Sequence, residues 1–93
     1  MTKNYSSELK IQNVRGLHAR ATAAFVKVAD TFHSEIFVSN KDGLRVSGKS
    51  IMGLLMLGAP LGSTLTVEAT GNDAEKALKA LTDLVNDKFG ETV

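Results

Sequence analysis

The chain has 93 residues, 43% of them hydrophobic, enough for one domain spanning 1–93 with a modest core. It holds no cysteine, which removes disulfides, thiol nucleophiles and cysteine-ligated metal. A formal net charge of +1 gives no overall pull toward nucleic acid or membrane surfaces. The polar, alternating start from Met1 to Gln12 is unlike a secretory segment. The longest apolar run, Ile51 to Leu61, is too short and glycine-broken to span a bilayer. The cytoplasm is the expected compartment.

Ser7 to Asn13 alternates, with Leu9 and Ile11 on one face, and predicts a half-buried strand. Val14 to Leu17 is a short connection freed by Gly16. Residues 19 to 31 predict a helix with Ala21, Ala24, Phe25, Val28, Ala29 and Phe32 on one apolar stripe. Glu35 to Ser39 is a second strand, and Lys41-Asp42-Gly43 is a hairpin turn. Leu44 to Gly48 is a third strand, with Leu44 and Val46 inward. Ser50 to Leu57 is a short helix, apolar almost all round, followed by a loop at Gly58 to Ser63 holding Pro60. Thr64 to Thr70 is a fourth strand with Leu65, Val67 and Ala69 on one face. Asn72 or Asp73 caps a last helix that buries Ala74, Ala77, Leu78, Leu81, Leu84 and Val85, with Gly90 after its final turn. The simplest packing is α+β, an open-faced two-layer sandwich. A four-stranded antiparallel sheet carries two long helices and one short helix on one face.

The stretch Gly16-Leu17-His18-Ala19-Arg20 carries the most chemistry. It sets a histidine where a strand gives way to a helix. A helix N-terminus has unpaired amide N–H groups and partial positive charge, so it receives anions. The same positive end disfavours an imidazolium and favours the neutral, nucleophilic ring. Arg20 adds a planar fork of donors suited to phosphate oxygens. Its bland alternative is a solvated first-turn cation, and that of His18 is a capping or merely exposed ring. Arg15, Arg20, Lys27, Arg45 and Lys49 fall between residues 15 and 49, so a local basic patch around His18 is expected.

This pattern resembles the histidine-containing phosphocarrier (HPr) family of the bacterial phosphoenolpyruvate-dependent phosphotransferase system, over nearly the whole chain. Gly16-Leu17-His18-Ala19-Arg20 is similar to the family's active-site motif, followed by Phe25-Val26-Lys27 on the first helix. Gly48-Lys49-Ser50-Ile51-Met52-Gly53 is similar to its regulatory-serine motif. The resemblance implies phosphorylation of His18 at Nδ1 by enzyme I and transfer to an EIIA-type protein, with the backbone N–H groups of Ala19 and Arg20 receiving phosphate oxygens. The chain is then a covalent intermediate rather than a turnover enzyme, and needs no cofactor or metal. The resemblance also implies modification of Ser50 by HPr kinase/phosphorylase, while the bland role of Ser50 is the N-cap of the short helix. The family usually has proline where Ala21 stands, so the first turn is expected to be looser, affecting rate rather than occurrence.

By spacing, Leu54 and Leu57 face the core, leaving Ile51, Met52, Leu55 and Met56 accessible. Such a methionine-bearing patch suits docking of several partners, with Lys27 and Lys49 at its margin. A dimer interface or a deeper core is the alternative, and a monomer is the expected state. His33 lacks any surrounding motif and reads as a surface residue, and Tyr5 reads as structural. Two other functions fit the element order. One is a nitrogen-type or regulatory carrier not coupled to sugar uptake. The other is a non-catalytic ligand- or RNA-binding βαββαβ domain. Base stacking requires aromatic residues on the open sheet face, and the third and fourth strands have none.

Overall fold

The computed structural model describes residues 3–93; Met1 and Thr2 of the expected domain lie outside the described residues. The elements are β1 (Asn4–Lys10), α1 (Ala19–Ala29), β2 (Glu35–Ser39), β3 (Arg45–Ser47), α2 (Ile51–Leu57), β4 (Thr64–Thr70) and α3 (Ala74–Asn86). A 3-10 turn at Lys88–Gly90 follows. The strands pair antiparallel in the order β1-β4-β2-β3.

Alternation puts Leu9, Ile36, Val38, Leu65, Val67 and Ala69 on one sheet face, where all are buried. The register aligns them, with Leu9 opposite Leu65 and Val38 opposite Val67. The helices cover this face. Ala21, Phe25 and Ala29 of α1 and Ala74, Ala77, Leu81 and Val85 of α3 are buried. Alanines on both stripes let the helix backbones sit close to the sheet, while Phe25 fills the space between layers and stabilises by about 2–3 kcal/mol through burial. On the other face Arg45 stacks 3.8 Å from the centroid of the Phe37 ring and pairs with Glu68 at 3.2 Å. The arrangement is the open-faced two-layer sandwich expected. No helix among the described residues is long and apolar enough to cross a membrane.

Three boundaries differ from the sequence expectation. β1 begins at Asn4 and ends at Lys10, not Asn13, because its partner β4 runs only from Thr70 opposite Asn4 to Thr64 opposite Lys10. Beyond it Ile11 is held by the turn before β4, donating to the Ser63 carbonyl at 2.9 Å and accepting from the Gly62 amide at 2.8 Å. α1 ends at Ala29, after which Thr31 and Phe32 donate to the carbonyls three residues back. Leu44 belongs to the hairpin loop and is 37% exposed rather than inward. The Asn40 side-chain oxygen accepts from the amides of Asp42 and Leu44, which extends the loop and leaves Val46 as the inward residue of β3. In α3, Leu78 and Leu84 are only partly buried.

Asp73 occupies the N-cap position of α3, yet its carboxylate does not bond its own helix. It accepts from the amides of His33 at 2.8 Å and Ser34 at 2.9 Å and from the Ser34 hydroxyl, fastening the α1–β2 connection to the start of α3. The Ser34 hydroxyl foremost, then the His33 amide, lowers its pKa to about 2. The folded value lies below the ordinary 3.8, so this stabilisation is complete above that value and is lost as pH falls toward 2. Asp73→Asn is therefore expected to lower the midpoint of urea unfolding at neutral pH and to flatten the loss of stability across that acid window. Urea unfolding followed by circular dichroism across the window measures both.

Candidate functional site

The histidine is placed by its loop. The Leu17 amide donates to the Ala59 carbonyl at 2.8 Å, and the buried Leu17 side chain anchors the turn. Gly16 has φ +67, and a Cβ there would lie 2.5 Å from the Ala59 oxygen and 2.9 Å from Pro60 Cα. Only glycine meets both demands without backbone movement. The loop thus delivers His18 to the N-cap of α1 in extended conformation, with φ −88 and ψ −179. Its carbonyl accepts from the Thr22 amide at 2.9 Å, while its side chain makes no capping bond. The amides of Ala19 and Arg20 find no acceptor among the described residues. Both residues are exposed at the open end of the helix. Ala21 is buried in an unbroken helix.

The His18 side chain is 18% exposed, and its Nε2 bonds the Glu91 Oε2. Nδ1 has no partner among the described residues. The other Glu91 oxygen accepts from Asn13 Nδ2 at 3.0 Å, and the same amide donates to the Gly16 carbonyl at 2.8 Å. These bonds, that of His18 first, lower the Glu91 pKa below the ordinary carboxylate value. Sequence reading missed Glu91, which lies 73 residues from His18 with no motif around it. Its position depends on Lys88 and Phe89, whose φ values of 58 and 56 reverse the chain after α3. Phe89 is buried, and the Val14 amide donates to the Val93 carbonyl at 3.0 Å, so the tail is tied back along the His18 loop. The one sequence cue was an isolated Phe89 after the polar pair Asp87-Lys88.

Arg15 and Arg20 line an open cleft beside the ring together with Phe89, Gly90, Glu91, Thr92 and Val93. The other expected basic residues spread out. Lys27 is exposed near the far end of α1, about 12 Å along the helix from its first residue. Lys49 donates to the Phe32 carbonyl at 2.8 Å, beyond the C-terminal end of α1. Arg45 lies on the uncovered sheet face, bonded to Glu68. The cationic groups beside His18 are therefore Arg15 and Arg20.

In the second motif, a Cβ on Gly48 would lie 2.5 Å from Ile36 Cγ2 and 3.2 Å from the Phe25 ring, so glycine lets this link lie on the core. Ser50 is the N-cap of α2, its hydroxyl accepting from the Gly53 amide at 3.0 Å. Leu54 and Leu57 are buried, whereas Ile51, Met52, Leu55 and Met56 are 43%, 70%, 37% and 67% exposed. Val14 and Leu61, which spacing did not single out, are also exposed. His33 is exposed, its backbone amide engaged by Asp73. Among the described residues no three or more metal-binding side chains cluster.

Gly16→Ala is expected to destabilise the domain by about 1–3 kcal/mol through strain and contact with the Ala59 oxygen. It should also displace the amides of Ala19 and Arg20, visible as shifts of their NMR resonances larger than those in the sheet.

Residues 5–87 match the family described as PTS HPr component phosphorylation site. The phosphocarrier protein HPr of Neisseria meningitidis is 49% identical over 83 residues, covering 89% of this chain and 92% of that protein. The HPr of Cupriavidus necator is 46% identical over 81 residues, covering 87% and 90%. Among solved structures, HPr-C-His from Thermoanaerobacter tengcongensis is similar at TM-score 0.90 and 43% identity, covering 96% of this chain and 99% of that one. The multiphosphoryl transfer protein of Salmonella typhimurium is 41% identical over 88 residues, which are 23% of its length.

Proposed function

The chain belongs to the HPr phosphocarrier family of the phosphotransferase system, and from that premise we propose that His18 accepts a phosphoryl group from phospho-enzyme I and passes it to an EIIA-type protein. The observation that carries this reading is a partly exposed ring, its Nδ1 unengaged, beside the unpaired amides of Ala19 and Arg20. Nδ1 attacks phosphorus in line, an N–P bond forms, and the donor's bond to phosphorus breaks with its electron pair returning to the donor atom. The phosphoryl oxygens then meet the amides of Ala19 and Arg20 and the Arg20 guanidinium, which stabilise charge already aligned with the helix end. Partners cover the ring from the side of α2. Ile51, Met52, Leu55 and Met56 supply an adaptable apolar contact, and Lys27 a charge at its margin. One face serving donor and acceptor in turn suits a monomer working in the cytoplasm.

The test mixes the chain with phosphoenolpyruvate, magnesium and enzyme I. Acid-labile phosphate located at His18 by mass spectrometry is expected. His18→Ala should take up none while its circular dichroism spectrum stays that of the parent. Phosphate on the mutant would overturn the assignment.

Ser50 adds a regulatory site to this reading. A phosphate there sits at the head of α2 beside Ile51 and Met52 and places negative charge on the docking face, which weakens binding of an acidic partner. Incubation with ATP and HPr kinase/phosphorylase should modify Ser50. Ser50→Ala should abolish that signal and, by loss of the cap to Gly53, cost about 1 kcal/mol in urea unfolding. An unmodified Ser50 removes the regulatory role.

A further inference from the structure

We propose that Glu91 is a positioning residue for this transfer: it holds His18 in the tautomer with hydrogen on Nε2, so that the Nδ1 lone pair faces the incoming phosphorus. The proposal rests on His18 being the acceptor and adds a residue beyond the 5–87 span of the family match.

An ionised carboxylate has only acceptor oxygens. Asn13 Nδ2 occupies Oε1, and His18 Nε2 faces Oε2, so Nε2 must be the donor. The Asn13 amide cannot turn over, because its two hydrogens go to the Gly16 carbonyl and the Glu91 carboxylate, both acceptors. The cost of that orientation is visible: Asn13 Oδ1 is buried with no partner among the described residues. The buried Phe89 and the Val14–Val93 hydrogen bond hold the tail that brings the carboxylate in. The hydrogen bonds from His18 and Asn13 also favour the ionised carboxyl.

A carboxylate that orients an imidazole does two things. It selects the tautomer, and it faces the positive charge that appears when Nδ1 gives its electron pair to phosphorus. The new bond is Nδ1–P, the broken bond is the donor's bond to phosphorus, and the Nε2 hydrogen stays in place. Arg15 and Arg20 line the same cleft as Glu91, and the positive charge of Arg15 also favours the ionised carboxyl.

Nitrogen-15 NMR of the imidazole, at a pH where the ring is neutral, reads the tautomer directly and requires no phosphorylation. The parent should show one tautomer, with hydrogen on Nε2. Glu91→Gln offers one acceptor and one donor end, so it cannot serve both Asn13 and His18, and the opposite tautomer should gain population. Glu91→Ala should give a mixture. Both variants should accept phosphate from phospho-enzyme I about tenfold more slowly, with their backbone spectra otherwise retained. Parent-like nitrogen shifts in both variants, or a transfer rate unchanged or raised, would overturn the role of Glu91. Because the nitrogen spectrum is independent of turnover, failure here is distinguishable from phosphate uptake by His18→Ala.

Discussion

The near-contact of Gly16 with the Ala59–Pro60 backbone is the constraint on which the site depends. It brings the loop before α1 against the loop after α2, and the Leu17–Ala59 hydrogen bond locks the two together. The main-chain path around His18 follows from that junction. The helix begins one residue later, its first amides face outward, and the ring stands at its mouth. A bulkier residue at 16 would move the loop bodily, since the opposing atoms are main chain and cannot swing aside.

The two ends of α1 are treated differently. At its start the amides of Ala19 and Arg20 have no acceptor among the described residues. Beyond its finish the polar groups are satisfied internally, with Lys49 on the Phe32 carbonyl and Asp73 on the amides of His33 and Ser34. The core beneath is closely packed, with Phe25, Leu54 and Leu81 almost fully shielded. The helix thus rests on a closely packed core while its first donors stay unpaired among the described residues.

What could be read from sequence was what is local in the chain. Period-two and helical spacing located β1, β4, α1 and α3, while β2, β3 and α2 were marked off mainly by the turn and loop residues between them. The split of α2 into inward Leu54 and Leu57 and outward Ile51, Met52, Leu55 and Met56 follows from spacing alone. The start of β1 did not, since Asn4 to Ser6 are strand only because Glu68 to Thr70 lie opposite them. The same holds for charge. Arg20 was placed by its helix position, whereas Lys49 and Arg45 take their directions from Phe32, Phe37 and Glu68, partners that no window of sequence contains. Glu91 is the extreme case, a single acidic residue in a tail without periodicity, meaningful only once Phe89 has turned that tail toward the ring.

The methionines of α2 carry a consequence for redox history. Met52 and Met56 are the most solvent-accessible large apolar side chains of that helix, and their thioethers are open to peroxide. Sulfoxide formation would turn a greasy, pliable face into a polar one. Leu54 and Leu57, on the opposite side, would keep their grip on the interior. An oxidised sample would therefore melt like a fresh one while presenting a changed outer face on α2.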